Sequence, residues 1–338
     1  MTVPRTGLAG YVRGLRQVVS VGLVGTLVMS ALVLGDLALG DLPAVAAGAP
    51  TPLINRDFPD PDVLRVGNSY YAYSTNSTYD TGLRNIPVAR ASRITGPWTV
   101  QPVDALPQPP SWTVFDQGSG TNLIWAPDVS RRQDGKFLMY FAANFHGQVQ
   151  CIGAALADRP TGPFRNVGSA PLVCRQDEGD IDPSSLTVNG RHYLVYKDNS
   201  NAHGQPASIW LQPVAADGLT FRGDRVRLLT ADPAGDENNV IEAPIIVPRA
   251  GKFVLLYSAN PYTLNYHVKF ATADRLTGPY QKSSTYVLDS TTWPGVITNP
   301  GGQDVVGGQI VFHANIPSGR AMFTAPLCWR GSTPVVVR

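Results

Sequence analysis

Five times in this chain, about every 60 residues, a strand-like segment opens with an acidic or amide residue beside a proline or glycine. The starts read Pro59-Asp60-Pro61-Asp62, Trp125-Ala126-Pro127-Asp128, Ile181-Asp182-Pro183-Ser184, Ile241-Glu242-Ala243-Pro244 and Gly301-Gly302-Gln303-Asp304. A repeat of this length made of strand-type segments alone predicts an all-β fold, a five-bladed β-propeller. One blade cannot bury its own apolar faces and must stack on neighbours. After each start come an apolar stretch, a glycine turn (Gly67, Gly135, Gly190, Gly251, Gly307-Gly308) and a further strand, usually rich in aromatics, as in a hairpin. Three repeats add Thr95-Gly96-Pro97-Trp98, Thr161-Gly162-Pro163-Phe164 and Thr277-Gly278-Pro279-Tyr280 at a near-constant offset. This is expected to be one recurring turn before an outer strand, with its aromatic packed between blades. The 33 glycines and 29 prolines suit many short strands, and no helical period is evident after residue 50.

Residues 1–47 read as a targeting segment. Arg5, Arg13 and Arg16 precede an apolar run from Val18 to Leu34, and Ala44-Val45-Ala46-Ala47 fits a signal-peptidase site. The expectation is a cleaved signal peptide, a secreted protein, and a propeller domain over 48–338. The run is close to the minimum for a membrane span, so a retained anchor is the competing reading. Without the leader the formal charge of +2 becomes +1, since three Arg and two Asp go with it. A nearly neutral surface attracts neither nucleic acid nor an anionic membrane, which predicts an uncharged partner. Of three cysteines, Cys151 and Cys174 flank one strand-turn-strand of the second repeat and are the expected disulfide. Cys328 is left as a thiol in the apolar last strand. No cysteine or histidine sits at metal-ligand spacing, so no metal or other cofactor is expected.

Most Asp-Pro pairs are turns. Position makes these different: Asp60, Asp128, Asp182 and Glu242 stand at matching places at the starts of inner strands and should crowd one mouth of the central channel. Like charges in a confined cleft push at least one carboxyl toward its protonated form. A paired carboxylic acid and carboxylate is what glycosidic hydrolysis uses, one protonating the leaving oxygen and one activating water. Glu242 has the longer reach and the apolar setting Val240-Ile241-Glu242-Ala243-Pro244-Ile245-Ile246, which suits the general acid. Asp60, among Asp57 and Asp62, suits the base. The spacing leaves open whether Asp128 or Asp182 assists them.

Phe58-Pro59-Asp60-Pro61-Asp62-Val63 with Tyr70-Tyr71, Trp125-Ala126-Pro127-Asp128, Ile181-Asp182-Pro183-Ser184 with Tyr193-Leu194-Val195-Tyr196, and Glu242-Ala243-Pro244 together resemble glycoside hydrolase family 43. The resemblance runs from about residue 53 to 338. It implies an inverting hydrolase of arabinose- or xylose-containing polysaccharides, with Asp60 as base, Glu242 as acid, and Asp182 tuning the acid and orienting the sugar. It leaves Asp128 beside the site as a bracing residue, Trp125 as a wall of the sugar subsite, and Arg320 as a group reaching the active site. Many family members carry Gly-His in the fifth blade, the imidazole facing water or calcium. This chain has Gly302-Gln303, and Gln303 is expected to hold water there, with no metal required.

An α-L-arabinofuranosidase or arabinanase is the first expectation, a β-xylosidase the second. A propeller that binds glycans without cleaving them is the alternative of a different class, and it would dispense with an acid at 60 or 242. The Asn-Asp-Pro-Asn, Arg-Asp-Pro and Glu-Cys motifs of retaining invertase-type propellers are absent. His146 is expected in a surface loop, His313 in the core, and Trp112 and Phe115 over the core.

Overall fold

The computed structural model describes residues 48–338, so the expected signal peptide lies outside the described residues. The chain forms five four-stranded antiparallel sheets around one axis, the predicted five-bladed propeller. Blade 1 holds β1 (Asp62–Val66), β2 (Ser69–Tyr73), β5 (Pro87–Ala91) and β6 (Thr99–Asp104), with a hairpin of β3 (Ser77–Tyr79) and β4 (Gly82–Arg84) inserted. Blade 2 holds β7 (Trp125–Arg131), β8 (Phe137–Phe145), β9 (Val149–Ala157) and β10 (Arg165–Asn166). Blade 3 holds β11 (Asp180–Val188), β12 (Arg191–Asp198), β13 (Ser208–Val214) and β14 (Val226–Thr230). Blade 4 holds β15 (Ile241–Arg249), β16 (Lys252–Ala259), β17 (His267–Ala273) and β18 (Gln281–Lys282). Blade 5 holds β19 (Gly301–Val306), β20 (Gln309–Ile316), β21 (Gly319–Arg330) and β22 (Thr333–Val336).

The second strand of most blades reads as an unbroken apolar run, Phe-Leu-Met-Tyr-Phe in β8 and Phe-Val-Leu-Leu-Tyr in β16. Alternation would be expected only if one face met water. Here both faces are covered: Met139 and Phe141 pack toward blade 1, while Leu138 and Tyr140 pack toward blade 3. Likewise Val254 and Leu256 face blade 5, and Leu255 and Tyr257 face blade 3. The result is five cores, one in each seam between blades. Truncating one such leucine to alanine costs about 2–5 kcal/mol.

The ring is closed by the segment that precedes β1. Leu53 N–H donates to Met322 O at 2.8 Å and Phe58 N–H to Arg320 O at 2.8 Å, with Phe58 fully buried. The three Thr-Gly-Pro-aromatic turns each precede the outermost strand, β6, β10 or β18, as expected. The Cys151–Cys174 disulfide is formed. Cys328 is exposed on β21, which corrects its expected place in an apolar last strand. Trp112 is core, but Phe115 is 43% exposed, because it lies beyond the turn that buries the tryptophan. Among the described residues no helix is long and apolar enough to cross a membrane.

Candidate active site

Every blade enters its inner strand through one left-handed residue: Asp60 (φ 51°), Ala126 (43°), Asp182 (53°), Ala243 (50°) and Gly302 (57°). In blades 2 to 5 the pairing register slips at this point, as between Glu242 and Ile245. These are bulges, and a bulge re-aims the side chains beside it. They also correct the predicted equivalence of the four acids. Asp60 and Asp182 occupy the left-handed position itself. Glu242 lies one residue before it in blade 4, and Asp128 two residues after it in blade 2. Asp128 therefore matches Asp62, Ser184, Ile245 and Asp304, about 6–7 Å further along the inner strand.

The structure gathers Asp60, Asp182 and Glu242 at the wall of a cavity of about 620 Å³, together with Trp125, Asp128, Gln303 and Arg320. Asp60 is held from several sides. Arg320 donates to its Oδ1 at 3.2 Å, Thr75 Oγ1 to its Oδ2 at 2.6 Å, and its own N–H donates to His313 Nδ1 at 3.0 Å. Burial alone would favour its protonated form, but the Arg320 charge and the Thr75 hydroxyl outweigh that and hold it well below the usual carboxylate range. This is an ionised carboxylate. Asp182 is pushed up to about 7, first by burial and then by the charge of Glu242, with Lys197 and the Ala243 N–H opposing. Glu242 receives hydrogen bonds from the Tyr266 hydroxyl at 2.8 Å and from Lys197 Nζ at 3.4 Å. Asp182 and Glu242 therefore form a pair in which Asp182 keeps a proton near neutral pH, in the cavity that the ionised Asp60 also lines.

The second strands supply a matching ring of supports. Two residues beyond the strand partners of Asp62, Asp128, Ser184, Ile245 and Asp304 stand Thr75, Ala142, Lys197, Ser258 and His313. Three of them accept the left-handed residue's N–H in the next blade: Thr75 from Ala126, Ser258 from Gly302, and His313 from Asp60. In blade 4 that N–H, on Ala243, goes to Asp182 Oδ2 at 2.9 Å. Lys197 is thereby left free to reach Glu242. His313 must be neutral at Nδ1 to accept, and burial lowers its basicity accordingly. Blade 5 contributes no side chain at 301 or 302, for a steric reason. A Cβ at Gly301 would lie 2.0 Å from the Tyr266 ring, and one at Gly302 2.5 Å from His313 Nδ1.

The lower ring is Asp62, Asp128 and Asp304. Each carboxylate laces its blade to the next: Asp304 accepts the Val63 N–H at 2.9 Å, Asp62 the Val129 N–H at 2.9 Å, and Asp128 the Ser185 hydroxyl. Among the described residues no side-chain cation pairs with them. Burial pushes Asp128 and Asp304 up to about 6, and burial with both neighbours' charges pushes Asp62 well above its usual value.

Gln303 does not act as a free ligand. Its Oε1 accepts from Ser258 Oγ at 2.7 Å and its Nε2 donates to Ala243 O at 2.6 Å. The amide bridges blades 4 and 5, and each of its ends keeps one further hydrogen or lone pair. Arg320 touches Asp60 first and stacks its guanidinium 4.8 Å over Tyr262, a half-exposed ring on the cavity rim. His146 is exposed, as expected of a loop residue. Sequence reasoning missed Thr75, Lys197, Tyr266 and the contact of His313 with Asp60. Only the proline positions 61, 127, 183 and 244 carried a signal, since anchoring on them rather than on the acids gives the observed register.

A propeller whose channel mouth sets one ionised carboxylate against a proton-holding carboxyl pair, inside a sugar-sized cavity, is the architecture of a glycosidase. The chain belongs to the Glycosyl hydrolases family 43, whose profile matches residues 49–334. It is similar to the extracellular endo-α-(1→5)-L-arabinanase 1 of Bacillus subtilis (strain 168), 27% identical over 299 residues, covering 80% of this chain and 84% of that protein. It is also similar to α-L-arabinofuranosidase 43 of Humicola insolens, 25% identical over 228 residues, which are 63% of this chain but 43% of that longer protein. Among solved structures, a thermostable family-43 glycoside hydrolase superposes with a TM-score of 0.70 at 25% identity, covering 82% of this chain and 92% of that one. An arabinanase from Bacillus subtilis shares the fold with a TM-score of 0.65 at 23% identity, covering 83% and 98%.

Proposed function

We propose that the protein is a secreted, inverting hydrolase of arabinose-containing plant polysaccharides, with xylosides as the second substrate class. The observation that carries this reading is the electrostatic split at the mouth: Asp60 held ionised by Arg320, and the Asp182–Glu242 pair holding a proton. Asp60 draws a proton from water, and that water attacks the anomeric carbon. Glu242 gives its proton to the departing glycosidic oxygen in the same step, and Asp182 supports the acid and the sugar ring. Trp125 and Tyr262 line the slot as apolar walls, and Arg320 keeps Asp60 ionised for the next turnover. The relatives' extracellular names and the Ala44-Val45-Ala46-Ala47 site support removal of residues 1–47 on export.

The test is product analysis. Protein from Gly48 onward and its Glu242→Ala variant are incubated with linear arabinan, arabinoxylan and xylo-oligosaccharides, and the released sugars are separated by chromatography. Arabinose or arabino-oligosaccharides from the wild type alone are expected. Xylose alone would move the assignment to a xylosidase, and no product from any substrate would favour a glycan-binding propeller.

A further inference from the structure

Lys197 is the one supporting residue at the mouth that serves a carboxyl instead of a backbone N–H. Its side chain is fully buried. Its Nζ donates to Asn201 Oδ1 at 2.6 Å and lies 3.4 Å from Glu242 Oε2. A buried ammonium is costly and persists only where acceptors are fixed around it. Asn201 is fixed by the Ser200–His203 3-10 turn, which Gly204 closes in the left-handed conformation. The lysine is thus built in from β12, beneath the gap between blades 3 and 4, against a carboxyl that blade 4 presents.

We propose that Lys197 is a positioning residue for proton donation: clamped by Asn201, its ammonium holds the Glu242 carboxyl toward the cavity and limits the pH range over which the Asp182–Glu242 pair keeps its proton. This rests on the reading of Glu242 as the general acid. The groups facing that carboxyl are Asp182 from β11, Lys197 from β12 and Tyr266 from the loop before β17. His313 on β20 feels the same charge, and Asp60, paired with Arg320 on β21, acts on Asp182. Asp182 and Asp60 favour a retained proton, and Lys197 is the cation in direct contact that favours its release. Tyr266 fixes Oε1 and Lys197 fixes Oε2, so the two donors together set the carboxyl plane. A cation here also favours the carboxylate left after each proton transfer, which then takes a fresh proton from solvent.

The test is Lys197→Met in protein from Gly48 onward, with arabinan hydrolysis followed against pH and folding checked by thermal melting. The basic limb of the kcat/KM profile is expected to move up by about one unit or more, because an opposite charge within a few ångströms is worth that much. The acidic limb, set by Asp60, stays in place. A folded variant whose limbs both coincide with the wild type overturns the proposal, whatever its turnover. If Lys197→Met does not fold, Asn201→Asp serves: a carboxylate drawing Nζ away from Glu242 should also move the basic limb up, and an unmoved limb overturns the proposal. Difference infrared spectroscopy of the carboxyl band reads the same proton without turnover. The band should persist to higher pH in either variant, and an unshifted band would sink the idea. Failure of the parent reading looks different, since it would show as no hydrolysis by the wild type with the band still shifting.

Discussion

Two rings of carboxyls stand in one channel, the upper one at the strand entrances of blades 1, 3 and 4 and the lower one a step further along blades 1, 2 and 5, and their surroundings differ in kind. Asp60 and Glu242 in the upper ring meet side-chain cations, Arg320 and Lys197, and the hydroxyls of Thr75 and Tyr266. Asp62, Asp128 and Asp304 in the lower ring meet backbone N–H groups and one serine and, among the described residues, no cation. The upper ring is therefore differentiated, with one member held ionised and a pair sharing a proton. The lower ring is uniform, and all three of its members lean toward the protonated state. Residue type did not decide this. A left-handed residue at each strand entrance tips one position into reach of side chains from neighbouring second strands and leaves the position two further on facing only the next strand's backbone.

The largest expected effect separates the rings by activity. Asp60→Asn should lower kcat by about 10²–10⁴-fold, the range for losing a positioned base. Asp304→Asn, whose amide oxygen can still accept the Val63 N–H, should leave kcat within a few-fold. Equal losses in steady-state assays would erase the distinction between the rings.

Next in size is the Cys151–Cys174 bridge, whose two half-cystines are 23 residues apart. Arg175, beside it, holds Asp180 at the start of β11 through its N–H at 2.7 Å and its Nε at 3.2 Å, on the strand that carries Asp182. Replacing both cysteines by serine should cost about 3 kcal/mol in denaturant unfolding. The upper ring should loosen with it, while the lower-ring lacing persists. An unchanged unfolding midpoint would contradict this.

A smaller effect is in the pH dependence of stability. Lower-ring acids have raised values in the fold, so their favourable contribution is full below about 3.8 and is lost as pH rises through about 6. Asp60 has the opposite sign: its contribution is present above 3.8 and fades only on acidification well below that. The denaturation midpoint should therefore decrease as pH rises from about 3.8 to about 6 and level off above that. Asp304→Asn should flatten that slope, whereas a slope unchanged in the variant would show that the lower ring does not titrate as described. The smallest expected effect is of chelation. With Gln303 bonded at both ends, removing divalent ions should leave turnover unchanged, and loss by chelator with recovery by calcium would contradict the fit argued for that residue.

The blades were legible because their signals are local: glycine turns, Thr-Gly-Pro-aromatic corners and unbroken apolar second strands each follow from the backbone and from burial on both faces. The acids were legible as candidates but not as a geometry. Aligning Asp60, Asp128, Asp182 and Glu242 on charge merged two rings and one off-register residue. The bulge that separates them depends on the backbone beside Pro61, Pro127, Pro183 and Pro244. Lys197, Thr75 and His313 were illegible for a different reason. Each acts on the next blade, and a contact across a seam leaves no spacing in its own repeat. His313 reads as core from its strand and is indeed buried, yet its Nδ1 accepts the N–H of a residue 253 positions away.

The central claim, that Glu242 donates the proton while Asp60 makes the nucleophile, is tested most directly by leaving-group dependence in Glu242→Ala. Hydrolysis of arabinan and of an aryl arabinofuranoside with an acidic phenol would be compared with the wild type. The account predicts a loss on arabinan of about 10²–10⁴-fold and a much smaller loss on the aryl glycoside, whose leaving group needs no proton. Equal loss on both substrates would contradict it.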